Sequence, residues 1–222
     1  MRSVVIGASG GIGAALADAL EAKQRPVIRI GRETVPKLDL EDEDSIASAA
    51  AAIGPNLALI IDATGFLHNE EFRPERSWRQ LDPKHLAYSF AINAIGPALI
   101  MKHFLPLLAR DERAVFATLS ARVGSISDNH LGGWFSYRAS KAALNQIVRT
   151  AAIELARTRK QAVCVALHPG TVSTRLSEPF AKTGLEVQTP SQAAAKLVAV
   201  IDALTAQQTG LLFDNRGAQI SF

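Results

Sequence analysis

Val4-Val5-Ile6-Gly7-Ala8-Ser9-Gly10-Gly11-Ile12-Gly13 joins three apolar strand-type residues to a glycine-rich turn, which opens a helical pattern over residues 12–21. A strand that breaks into glycines and turns at once into a helix is the start of a βαβ unit. Glycine permits the tight turn and lets a ligand approach the backbone closely. The first amide groups of such a helix have no partner within it, and its dipole favours an anion such as a pyrophosphate. The spacing Gly7, Gly11, Gly13 differs from G-x-G-x-x-G. On these residues alone a phosphate cradle and a plain tight connection both stay open.

Outward from that turn, apolar runs of strand length alternate with longer segments of helical spacing. Residues 26–30, 57–61, 114–119, 162–167 and 210–213 read as strands. Residues 41–52, 136–156 and 191–204 read as helices, as does a segment starting at Asp82-Pro83 and running towards Leu108. Asp82 can cap that helix and Pro83 is tolerated at its first position. The alternation predicts an α/β fold: a single-domain, Rossmann-type, doubly wound parallel sheet with helices on both faces, spanning residues 1–222 without a linker or repeat. In such sheets ligands bind beyond the carboxyl ends of the strands.

The 222 residues are 48% hydrophobic and 20% charged, which excludes a disordered or low-complexity chain. The 24 Lys and Arg against 21 Asp and Glu are scattered, so the net charge of +3 does not point to nucleic acid. One cysteine, Cys164, excludes an intrachain disulfide and a multi-cysteine metal cluster. His68, His103 and His130 have no ligand spacing with one another or with Cys164, and no metal site is expected. The opening apolar run is interrupted at Gly7. No stretch is read as a signal peptide or membrane span, and a cytoplasmic location is expected.

Tyr137 and Lys141 are four residues apart in a helical segment and so share one face. A phenol has an ordinary pKa of ~10. A nearby ammonium favours the phenolate, which suits the tyrosine to proton transfer. The same spacing also fits an amphipathic helix with a buried tyrosine and a solvated lysine, and it is the glycine turn elsewhere in the chain that favours the chemical reading.

Taken together, these residues resemble the short-chain dehydrogenase/reductase family. Its first turn, Gly-x-x-x-Gly-x-Gly, is matched by Gly7, Gly11 and Gly13, with Ser9 and Ile12 between them. Asp39-Leu40 resembles the family's acidic dipeptide near the adenine, and Ala63-Thr64-Gly65 stands where the family usually has Asn-Ala-Gly. Asn93 falls in a helix like the family's asparagine helix. Tyr137 and Lys141 match Tyr-x-x-x-Lys, and Pro169-Gly170 with Thr174 resembles the segment closing over the nicotinamide. Residues 92–97, 124–129 and 137–145 look like the C-factor and carbonyl-reductase-like branch.

The resemblance implies an oxidoreductase that passes hydride between a nicotinamide cofactor and a small carbonyl or alcohol substrate. Tyr137 would protonate the carbonyl oxygen, Lys141 would hold the ribose and lower the tyrosine pKa, and Asn93 would hold a water linking the lysine to solvent. A homodimer or homotetramer through the long helices is also implied. Arg32, after the second strand, favours a 2′-phosphate and hence NADP over NAD. Glu33 beside it, and Gly10 where many NADP-dependent relatives are basic, weigh towards NAD.

The chain departs from the family at its serine. In the pattern Ile-Ser-Ser-x-x-Gly the second serine polarises the carbonyl, and here Leu119-Ser120-Ala121-Arg122-Val123-Gly124 puts Ala121 in that place. Ser120 is the candidate catalytic substitute, which requires the strand to end or bulge there, because adjacent strand residues face opposite ways. Ser125 and Ser127 are further candidates. Trp134 and Phe135 can line a substrate pocket or anchor the helix by packing. A nucleotide-binding sensor with little turnover is the alternative to an enzyme, and Ala121 is the reason to carry it.

Overall fold

The computed structural model describes residues 2–177 and 187–222; Met1 lies outside them. Seven strands form one sheet: β1 (Arg2–Ile6), β2 (Val27–Ile30), β3 (Leu57–Asp62), β4 (Ala114–Leu119), β5 (Ala162–His168), β8 (Leu212–Asp214) and β9 (Gln219–Ile220). Their spatial order is β2-β1-β3-β4-β5-β8-β9, parallel throughout except that β9 runs antiparallel to β8. The order reverses between β1 and β3, so a crevice opens beyond their carboxyl ends, as the alternation of elements predicted.

The strands read as continuous apolar runs because both of their faces are covered. Val5, Ile61, Val115, Ala117 and Val165 pack against Leu16 and Leu20 of α1 (Gly11–Ala22) and Leu197 and Ile201 of α6 (Pro190–Ala203). Their neighbours Val4, Ile60, Phe116 and Cys164 face the other way. There they meet Ile46 of α2 (Glu43–Ile53), Phe104 of α4 (Gly96–Phe104), and Leu144 and Val148 of α5 (Phe135–Thr158). Phe104 and Phe116 are fully buried. Truncating either to alanine would cost ~3–5 kcal/mol through lost burial and the cavity left behind.

The helix expected from Asp82 towards Leu108 is real but interrupted. Asp82 caps α3 (Pro83–Phe90), its Oδ1 accepting from the amides of Lys84 and His85 at 2.7 and 3.0 Å. A π turn (Ala91–Ile95), α4 and a short 3₁₀ turn (Leu105–Leu107) follow. Contrary to the expectation of no span-length segment, the run Pro83–Leu107 is long and apolar enough to cross a membrane. Within it Ile100, Met101 and Phe104 are buried against the sheet layer, whereas Ile95 is exposed. Three two-residue strands left no periodic signal: β9, and the paired β6 (Thr171–Val172) and β7 (Val187–Gln188).

Candidate active site

The glycine turn is a backbone cradle. Gly7 sits at φ +79°, and a Cβ there would press on the Ala63 backbone at 3.1 Å. A Cβ on Gly13 would lie 2.2 Å from the Gly7 carbonyl oxygen, so α1 can pack this closely on the turn only without a side chain. A Cβ on Gly11 would stand 3.0 Å from Thr174 Cγ2, which brings Thr174 over the start of α1. No side chain caps that end and no acidic residue occupies its first turn. The arrangement leaves helix amides available to an anion.

A cleft of about 280 Å³ runs from this turn along the carboxyl edge. Gly7, Ser9, Arg32, Asp39, Leu40 and Tyr88 line it, and Ala63-Thr64-Gly65 form another part of its wall. Ile12 and Gly13 belong to the helix start beside it. Tyr88 is a lining residue that pattern reading missed. Burial and then the Glu41 carboxylate raise its phenol, while Arg32 works the other way.

Lys141 lies beside Gly65 of the cleft. It is 2% exposed, and its Nζ donates to Leu119 O at 2.8 Å. A Cβ on Gly65 would lie 3.7 Å from that nitrogen and 3.7 Å from Asn93 Oδ1. Asn93, in the π turn, accepts from Phe66 N and donates to Phe66 O, both at 2.8 Å, and also donates to Ser140 Oγ at 3.1 Å. Its amide ties the loop after β3 to α5, so a bridging water can use only the second lone pair of Oδ1.

Tyr137 stands one turn before Lys141, with Nζ 6.0 Å from its ring centroid. The expected lowering of the phenol is reversed: burial pushes Tyr137 up to about 12. Desolvation prevails because the ammonium is turned to Leu119 O. Burial also holds Lys141 down to about 8, with Asp62 opposing that fall.

The start of α5, which carries Tyr137, is anchored from a distance. Trp134 precedes the helix in a left-handed conformation and offers no side-chain cap. Glu75 takes over that work: its carboxylate accepts from Ser136 N at 3.2 Å and from Ser136 Oγ, and its carbonyl accepts from Trp134 N. His85 Nδ1 lies 3.2 Å from the same carboxylate, and its ring stacks on Phe72 at 5.0 Å. Glu75, His85 and Ser136 are all buried. The chain order of these residues gives no local pattern by which to find them.

Ser120, the expected stand-in for the missing serine, has its hydroxyl engaged by α5. β4 ends at Leu119, and Ser120 continues its alternation towards α5, where Oγ donates to Asn145 Oδ1 at 2.7 Å. The hydroxyl is committed to the helix layer, and alternation turns the neighbouring Ala121 away from that layer. Ser125 and Ser127 lie 3.3 Å apart, Oγ to Oγ, and Ser127 donates to Phe222 O. Pro169 O accepts from Asn215 Nδ2 at 3.1 Å, and Gly170 adopts φ +80° where a Cβ would strike Gln188 and Asn215. His168, just before them, is held down to about 4 by burial and Arg122, and so is neutral near pH 7. Trp134 meets Tyr137 edge-on at 6.1 Å.

Residues 7–204 match the family described as Enoyl-(Acyl carrier protein) reductase. The chain is also 31% identical to 1-hydroxy-2-glutathionyl-2-methyl-3-butene dehydrogenase of Rhodococcus sp. (strain AD45), over 93% of each chain. The chain belongs to the short-chain dehydrogenase/reductase family. Within this oxidoreductase family it lies in the C-factor-like branch, being 35% identical to C-signal of Myxococcus xanthus over 63% of this chain and 80% of C-signal. Two solved structures share the family's fold over their full lengths at TM-score 0.86. They are the carbonyl reductase Sniffer of D. melanogaster at 23% identity and an NADPH-bound carbonyl reductase from chicken fatty liver at 24%.

Proposed function

We propose that the chain is an NADP(H)-dependent oxidoreductase interconverting a small carbonyl compound and its alcohol, with Tyr137 as proton donor and acceptor. The observation that carries this reading is Lys141: its buried ammonium stands beside Gly65 of the cleft, one helical turn from the Tyr137 phenol. The uncapped start of α1 with Gly7, Gly11 and Gly13 fits the phosphates of a dinucleotide, since any Cβ would fill the cradle. Ser9, Ile12, Thr174 and the Pro169-Gly170 segment complete the holding residues. Arg32 lines the same cleft and suits a 2′-phosphate. NAD is the alternative cofactor.

When bound, the nicotinamide supplies or accepts the hydride. Tyr137 donates a proton to the carbonyl oxygen, and Lys141 holds ribose hydroxyls while its charge offsets the burial that raises the phenol. Asn93 keeps Phe66 and Ser140 in place around the lysine. Trp134 forms one side of the substrate's approach to Tyr137. Residues 1–222 act as one domain, in the cytoplasm, without nucleic-acid or membrane partners. The groove between α4 and α5, lined by Met101, Leu105, Ile147 and Ala151, supports pairing with a second copy into a dimer or tetramer.

The test is to titrate NADPH and NADH into the purified protein and then follow loss of cofactor absorbance with a panel of aldehydes, ketones and quinones. Turnover with NADPH is expected. A specific observation favours a second reading, that of a nucleotide-binding sensor with little turnover: Ala121 has no hydroxyl and the Ser120 hydroxyl is bound to Asn145. NADPH binding without oxidation across the panel would select it.

A further inference from the structure

Asp62 closes β3 and is wholly buried. Acidic side chains are almost never fully buried unless paired. Three donors converge on it: Thr64 N at 3.0 Å and Thr64 Oγ1 at 2.6 Å on Oδ1, and Thr118 Oγ1 at 2.7 Å on Oδ2. Burial raises the carboxyl group, and these hydrogen bonds pull the other way by favouring its ionised form. These donors replace water, but none of them carries a positive charge.

The cation that does is Lys141. Its Nζ is bonded to Leu119 O, one residue beyond Thr118, and stands over Gly65, one residue beyond Thr64. The partners of the carboxylate and the contacts of the ammonium are thus chain neighbours on both strand ends, β3 and β4. We propose that Asp62 is the buried counter-charge of Lys141, a positioning residue that keeps the ammonium protonated beside Tyr137. This rests on the reading of Lys141 and Tyr137 given above.

The other groups facing the lysine are few. Tyr137 is the titratable group on α5, the π turn presents the neutral Asn93 amide, and β4 presents Thr118 and a carbonyl. Burial lowers Lys141 to about 8 and raises Asp62, and the attraction between the two opposes both changes. Taking away the Asp62 charge leaves the lysine with burial alone, and its proton affinity falls through the neutral range. A neutral amine no longer offsets the burial of the phenol, so alcohol oxidation, which needs Tyr137 to accept a proton, shifts to higher pH.

The experiment compares wild type with Asp62→Asn. Lysines isotopically labelled at the ε carbon are titrated by NMR in the full chain, and Lys141→Met assigns the resonance. The wild-type midpoint is expected near 8. In Asp62→Asn it should fall by about one unit or more, at least a tenfold loss of proton affinity. An unmoved midpoint in the folded variant overturns the pairing. Should Asp62→Asn not fold, Asp62→Ser removes the same charge while keeping a hydroxyl for the two threonines. The same fall is then expected, and an unmoved midpoint there is equally fatal.

The second readout is the pH profile of alcohol oxidation. Asp62→Asn should move its rise to higher pH, whereas simple structural damage would lower the rate without moving the profile. If wild type turns over no substrate, the enzyme reading fails, and the lysine titration still decides the role of Asp62.

Discussion

The glycine turn after β1 and the segment from Ser120 to Tyr137 meet the same edge of the sheet, yet they are held by different means. In the turn the decisive contacts are short in sequence and made by backbone: Gly10 N donates to Gly7 O, and Gly13 must lie against that same carbonyl. In the second region they are made by side chains across the chain. Ser120 reaches Asn145 25 residues away, and Ser136 reaches Glu75 61 residues away. A site made of backbone tolerates almost any side chain that stays out of the way. A site made of side chains changes its chemistry when one partner changes, and Ala121 is where this one has changed.

Four experiments press on that contrast. The largest effect is expected from Tyr137→Phe, which should cut turnover roughly 100- to 10,000-fold while leaving the NADPH dissociation constant unchanged, since only an acidic hydroxyl is removed. Steady-state rates with a cofactor titration check it, and undiminished turnover would take Tyr137 out of the chemistry. Gly13→Ala comes next. Its Cβ has only 2.2 Å to a backbone oxygen that cannot swing aside, so thermal unfolding should report a loss of about 3 kcal/mol together with weakened cofactor binding.

Ala121→Ser and Ser120→Ala form one comparison on the side-chain half. Restoring a hydroxyl at Ala121 should raise kcat, by up to ~100-fold if it reaches the developing oxyanion, with little change in KM. Ser120→Ala should act on stability instead, costing about 1 kcal/mol because it strips Asn145 of a buried hydrogen bond. Kinetics and melting curves of the two variants separate the roles. A large loss of turnover in Ser120→Ala, with no gain from Ala121→Ser, would return the catalytic hydroxyl to Ser120. The smallest binding effect is expected from Arg32→Asp, which should weaken NADPH about tenfold more than NADH by replacing attraction to the 2′-phosphate with repulsion. Equal effects would make Arg32 a bystander.

Much of the fold could be read along the chain because its strands are buried on both faces and appear as unbroken apolar runs. Residues 114–119 were placed to the residue, and the Asp82 cap was read from two adjacent letters. The short pairs at residues 171–172, 187–188 and 219–220 escaped because two residues carry no period. In the site, Gly7, Gly11 and Gly13 were legible as spacing. Glu75, His85 and Asp62 were not, since each takes its meaning from a partner on another element.

The sequence by itself therefore determined the βαβ opening, the alternation of layers, and the facing of Tyr137 and Lys141 on one helix, because these follow from local backbone geometry and helical period. Only the tertiary structure decided where Ser120 spends its hydroxyl, which way the Tyr137 phenol shifts, and which carboxylate lies buried with Lys141. These depend on desolvation and on hydrogen-bond partners brought together from distant parts of the chain, and no local pattern carries that information.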